Sequence, residues 1–332
     1  MNRQERKLAK QRARERISAV THGELCAAVS NGEFEKTKAL IHGGASPNQA
    51  NRFGITPLLY ATIQGHYEIA SWLIEHGADV DFQTPPAPES SGLLSALHLS
   101  AQFNRGEIAN LLFAKDAHID PTDGYGATPL ITSIDDKNSS LAIELVQRGA
   151  DINCRANDGR SALFAAAANG DNRVVDVLLS KGADPNVVTE LGWTILHAVA
   201  SNNDCVELDR FIRLGLQIDQ RAEDGATPLI TACISGATLT ARGLLTAGAN
   251  PNSLGRDGWT SLFYAIARRS PELVRMLLES GASVSAECAN PISGAFKNSP
   301  ATLTPRELAR RHPDKEVIRL LDEALSKTGT LS

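Results

Sequence analysis

The chain has 332 residues, 42% hydrophobic and 21% charged, which is the ordinary balance of a soluble globular protein. A net charge of −5 leaves no broad basic footprint for non-specific nucleic-acid binding. The five cysteines are odd in number, far apart and without a CxxC spacing, so neither a zinc cluster nor a disulfide framework is indicated.

In chain order, residues 1–20 read first as a basic N-terminal helix or tail. Residues 1–17 hold seven basic and two acidic side chains, a net of +5, so the remainder carries −10. Leu8, Ala13 and Ile17 make only a thin apolar stripe, and no aromatic residue is present to anchor it in lipid. There is no apolar h-region of a signal peptide and no run of about 18 apolar residues anywhere. The expected location is therefore cytoplasmic.

From residue 21 to 326 the chain repeats itself. Leu25, Leu58, Leu97, Leu130, Leu163, Leu196, Leu229 and Leu262 recur at a spacing of 33, with one spacing of 39. A ninth unit starts at Thr304-Pro305. Each unit predicts the same local structure. A glycine (Gly54, Gly126, Gly159, Gly192, Gly225, Gly258) supplies positive φ in a tight turn. Thr-Pro then starts a helix, with Thr as cap and Pro at the first helical position. A short Ala-rich helix follows, as at 164–168, and a polar pair such as Asn169-Gly170 breaks it. A second helix carries apolar residues at helical spacing, for example Val174, Val177 and Leu178, and a glycine such as Gly182 ends it as a left-handed cap. One such unit cannot bury its apolar face alone, so the units are expected to stack into an elongated, slightly curved array.

Two fingers break the period, at residues 83–94 and 287–303. The first is proline-rich; the second contains Phe296, expected to fold back on the last helices. The first unit lacks Thr-Pro and the last is charge-rich, as terminal caps require. Residues 327–332 form a tail.

In these repeated turns, caps and helices the chain resembles the ankyrin-repeat family, whose hallmark is a 33-residue period with T-P-L-H-x-A. Eight in-register copies carry the resemblance, from about Thr21 to Leu325. It implies an all-α ankyrin-repeat solenoid of paired antiparallel helices with β-hairpin-like finger loops. The motif histidine survives only as His98 and His197; Leu59, Ile131, Phe164, Ile230 and Phe263 stand there otherwise and are expected to pack. Unit six has Thr194-Ile195 in place of Thr-Pro.

No phosphate loop, HExxH or GxSxG is present, and Asp135-Asp136 is a tight acidic pair. No cofactor, metal or small-molecule substrate is therefore expected, and no enzyme. The resemblance implies a protein partner, bound by a monomer on a concave face made of fingertips and first-helix ends. Carried over position by position, that face comprises Phe53, Ile55, Tyr125, Asp135, Asp136, Arg160, Asn169, Trp193, Asp224, Asp257, Trp259 and Arg268. Trp193 and Trp259 have two readings, an exposed anchor or an indole lying across the next finger. Alternative roles are an inhibitor or immunity-type partner covering an enzyme or toxin, and attachment to nucleic acid or an anionic membrane through residues 1–17.

Overall fold

The computed structural model describes residues 23–86, 92–289, 302–311, 313–327 and 329. The basic segment 1–17, the centre of the first long finger and most of the second, including Phe296, lie outside the described residues. The chain divides into two compact units, Met1–Asn157 and Asp158–Ser332.

The first unit holds four helix pairs. They are α1 (residues 23–30) with α2 (Phe34–His42), α3 (Pro57–Gln64) with α4 (Tyr67–Glu75), α5 (Ala96–Gln102) with α6 (Gly106–Phe113), and α7 (Pro129–Asp135) with α8 (Ser139–Gln147). The second holds five. They are α9 (Ala162–Asn169) with α10 (Asn172–Ser180), α11 (Ile195–Asn202) with α12 (Cys205–Arg213), α13 (Pro228–Ser235) with α14 (Thr238–Thr246), α15 (Ser261–Ala267) with α16 (Pro271–Glu279), and α17 (Pro305–Arg311) with α18 (Lys315–Lys327). Two-residue strands β1 (Cys288–Ala289) and β2 (Thr302–Leu303) pair antiparallel at the base of the second long finger.

The leucine register is the core register. All eight repeat leucines are at most 1% exposed, and Leu308 takes the same role in the last pair. Thr56, Thr128 and Thr227 accept from the backbone N–H three residues on, with Pro57, Pro129 and Pro228 at the next position. The second helix of each pair buries a stripe that differs slightly from expectation. In α10 it is Val174, Val175 and Leu178 that are fully buried, while Val177 sits at the stripe's edge, half-buried.

Adjacent pairs are tied by polar bridges as well as by leucines. His98 Nδ1 accepts from the Ser95 N–H at 3.3 Å, which fixes the proton on Nε2, and Nε2 donates to the Ala127 carbonyl at 3.0 Å. His197 repeats this between Thr194 and Ala226 at 3.1 Å each, so Thr194 starts its helix without a proline. The apolar residues at this position, Leu59, Ile131, Phe164, Ile230 and Phe263, are buried as expected. Beyond the second helices, Asn48, Asp81, Asp120, Asp219 and Asn252 each accept from a backbone N–H of the following repeat. In the last pair a reciprocal cap forms: Thr304 N–H donates to Glu307 at 2.8 Å and Glu307 N–H to Thr304 Oγ1 at 3.3 Å.

Candidate functional site

The fingers stand on a backbone ladder. In the second unit the Glu190 N–H donates to the Asp158 carbonyl, Glu223 to Leu191 and Arg256 to Asp224, at 2.8–2.9 Å. In the first unit Asn157 donates to Tyr125 at 2.8 Å and Gly124 to Gly92 at 3.3 Å. Four of these rungs bring the next finger close over a glycine, Gly126, Gly159, Gly192 and Gly225. A Cβ on Gly192, whose φ is +76°, would lie 3.0 Å from Ala222 Cα and from the Glu223 nitrogen. Glycine is needed there for space as much as for its left-handed backbone. Within fingers, Val188 bridges Thr194 and Leu254 bridges Thr260 as short antiparallel pairs, the hairpin-like geometry the resemblance implied.

In the first unit Phe53 and Tyr125 are 63% and 60% exposed, and the Arg52 guanidinium lies 4.7 Å over the Phe53 ring. Ile55 is half-buried, with its N–H on Asn51 Oδ1 at 3.1 Å. Asp135 and Asp136 are exposed at the end of α7; partial burial, and then the charge of Asp135, raises the Asp136 carboxyl above its ordinary value.

In the second unit the Arg160 Nε is 2.5 Å from Asp158 Oδ2. Partial burial works against that carboxylate, yet the hydrogen bonds and charge of Arg160 hold it below its usual range. Asn169 is exposed where α9 ends. Asp224 and Asp257 both shape their turns, accepting from Ala226 and Trp259 N–H at 2.9 and 3.0 Å. Asp257 also accepts from the Tyr264 hydroxyl at 2.5 Å, and burial followed by that bond raises the tyrosine's pKa. Arg268 donates to the Ile234 carbonyl at 2.6 Å and lies against Gly236, so its cation is engaged by the neighbouring helix end.

The two tryptophans take an intermediate position. Both are half-buried. The Trp193 ring lies 5.8 Å from His197, and Trp259 lies 5.8 Å from Phe263 and 5.4 Å from Tyr264. Each indole therefore leans on its own first helix, with part of its face left to solvent. Beside them Leu191 is 65%, Leu254 47% and Val188 40% exposed. Sequence reasoning misses Val188 and Leu254. Their signal is an alternation along the fingers, Arg155, Val188, Arg221, Leu254, at one repeat position. It also passes over Trp72 of α4, whose ring stacks on His76 at 3.8 Å and meets Phe34 and His42 edge-on.

The arrangement offers rigid, partly apolar surface edged with charge, which can bury area against another macromolecule. Among the described residues no three or more His, Cys, Asp or Glu side chains are placed to hold a metal ion, and no helix is long and apolar enough to cross a membrane.

A family model of three-copy ankyrin repeats matches residues 25–123, 97–189, 163–254 and 208–288. The chain is similar to a mouse "Protein fem-1 homolog A-like", 35% identical over 98 residues, which is 30% of this chain and 14% of that protein. It is 28% identical over 144 residues to "Ankyrin repeat and KH domain-containing protein mask-1" of Caenorhabditis elegans, covering 43% of this chain and 5% of the other. It is 28% identical over 106 residues to rat "Cyclin-dependent kinase 4 inhibitor B", 32% of this chain and 77% of that protein. The chain thus spans only a small part, 14% and 5%, of the first two of these curated relatives.

Proposed function

The chain belongs to the ankyrin-repeat family, and from that premise we propose that it is a non-catalytic scaffold that binds a partner protein through its fingertips and first-helix ends, the concave face of such repeats. Ankyrin repeats generally mediate protein–protein interaction, and the family is typically non-catalytic. The observation that carries the reading is the finger ladder of the second unit, which holds Leu191, Trp193, Leu254 and Trp259 on one stitched framework. Surface ordered before binding loses little entropy on binding. Aromatic side chains on such a surface are the ones that dominate interface energy. Phe53, Ile55, Tyr125, Asp135 and Asp136 are the candidate contacts of the first unit. Arg160, Asn169, Trp193, Asp224, Asp257, Trp259 and Arg268 are those of the second.

A second reading has its own support. The match to the rat protein named as a kinase inhibitor extends over 77% of that protein. A cover for an enzyme, which inhibits by occupying its surface, is the alternative.

The test is a pull-down with mass spectrometry from the native host, followed by titration of the recovered partner. Trp193→Ala with Trp259→Ala should weaken the partner by more than about 2 kcal/mol, or roughly thirtyfold. Undiminished binding would assign the partner to another surface. Enzyme activity of the recovered partner, measured with and without this chain, separates scaffold from inhibitor.

A further inference from the structure

The third residue of the second helix is a core position in every pair from α4 onward. It is Ile69, Ile108, Leu141, Val174, Leu273 and Val317 in α4, α6, α8, α10, α16 and α18, all at most 3% exposed. In α14 it is Thr240, whose hydroxyl is hydrogen-bonded to the Ala200 and Ala237 carbonyls. In α12 it is Glu207, 1% exposed, and neither carboxyl oxygen has a hydrogen-bond partner among the described residues. A carboxylate buried without hydrogen bonds is strongly disfavoured unless it takes up a proton.

The charges around it relieve this only in part. Arg210 on the same helix is the one nearby cation, and its Nη1 is 3.4 Å from Glu207 but 2.6 Å from Asp176 of α10. Its charge is drawn outward, to the more exposed partner. Asp204, at the start of α12, is occupied by the Val206 and Glu207 N–H groups and by Asn172 of α10. On α14 the one charged residue is Arg242, exposed and 3.0 Å from Glu272. On α11 the one titratable group, His197, is engaged by Thr194 and Ala226. The further charged residues of α10 and α12, Arg173, Asp209 and Arg213, are exposed.

We infer that Glu207 makes α12 a proton-operated element of the second unit: the helix is held down while the carboxyl carries a proton and is loosened when the proton leaves. Burial pushes the carboxyl above its usual value of 4.5; Arg210 pulls it back, and Asp204 and Asp176 add to the rise. A raised folded value places the full stabilisation below 4.5, and it is lost as pH climbs from there through the raised value. Opening of α12 exposes Glu207, which lies beside the already exposed Val206 and Cys205.

Hydrogen exchange on the full chain tests this, with α12 amide protection corrected for intrinsic rates between about pH 4 and about pH 8. Wild-type protection in α12 should fall about tenfold per pH unit above the usual carboxyl value and level off once the raised value is passed. In Glu207→Gln and Glu207→Leu it should stay flat. Asp176→Asn frees Arg210 and removes a like charge, so the plateau should come at lower pH; Arg210→Gln should move it higher. A slope that survives in Glu207→Gln, or a flat wild-type profile, overturns the inference. So does a midpoint that ignores both Asp176→Asn and Arg210→Gln.

Discussion

At the scale of single residues, the two motif histidines set a second pH limit of opposite sign. Burial lowers the pKa of both His98 and His197, against the pull of the Ala127 and Ala226 carbonyls and of Asp123 and Asp224. Each Nδ1 already accepts from a backbone N–H, so a proton there would face a donor. A folded value below 6.5 means that stability is intact above 6.5 and is lost as pH falls through the lowered value. Thermal melts should show this loss in the wild type and a flatter profile in His98→Leu with His197→Leu. At neutral pH the double variant should be weaker by about 1 kcal/mol per bridge lost. An acid limb unchanged by the double substitution would assign it to the carboxylates. The turn after each first helix shows another residue-scale cost. Gly65, Gly170 and Gly236 take positive φ there without strain, whereas Lys137 and Arg269 hold +58° and +55° with a side chain attached.

At the scale of elements, the fold was legible because its signal is redundant. The buried leucine returns every 33 residues with its cap and its turn glycine, so one ambiguous unit is corrected by its neighbours. Leu196, in the unit that lacks Thr-Pro, tests that logic. It is fully buried, and Leu196→Ala should cost about 2–5 kcal/mol, read from chemical denaturation. A cost under about 1 kcal/mol would mean that α11 is not seated in this register. The site was less legible, for physical reasons. Which way Trp193 and Trp259 lean depends on side-chain rotamers and on the ring four residues ahead, which spacing alone does not fix. Val188 and Leu254 occupy a position where the repeat tolerates Arg or aliphatic residues alike, so no motif marks them. Glu207 hides differently. α12 is strongly charged, and one more acid in it looks solvated until the helix is aligned with its neighbours.

At the scale of the whole molecule, charge separates two possible modes of attachment. The described repeats belong to a body of net −10, while residues 1–17 carry +5. If the partner is held by fingers, removing residues 1–17 should leave its affinity within about 0.5 kcal/mol at low and at high salt. A loss that grows as salt is lowered would give the basic segment a direct part in binding. The first long finger carries a further consequence. Its base is pinched shut: Thr84 N–H donates to the Leu94 carbonyl and Leu93 N–H to the Thr84 carbonyl, both at 3.0 Å, while Gln83 Nε2 ties Leu93 to Thr122. The Gly92 carbonyl still serves as a rung for Gly124. Lengthening a loop that is closed at its base adds entropy cost only logarithmically. The finger is a socket: foreign sequence spliced between residues 86 and 92 would be displayed there while the repeats beneath kept their register.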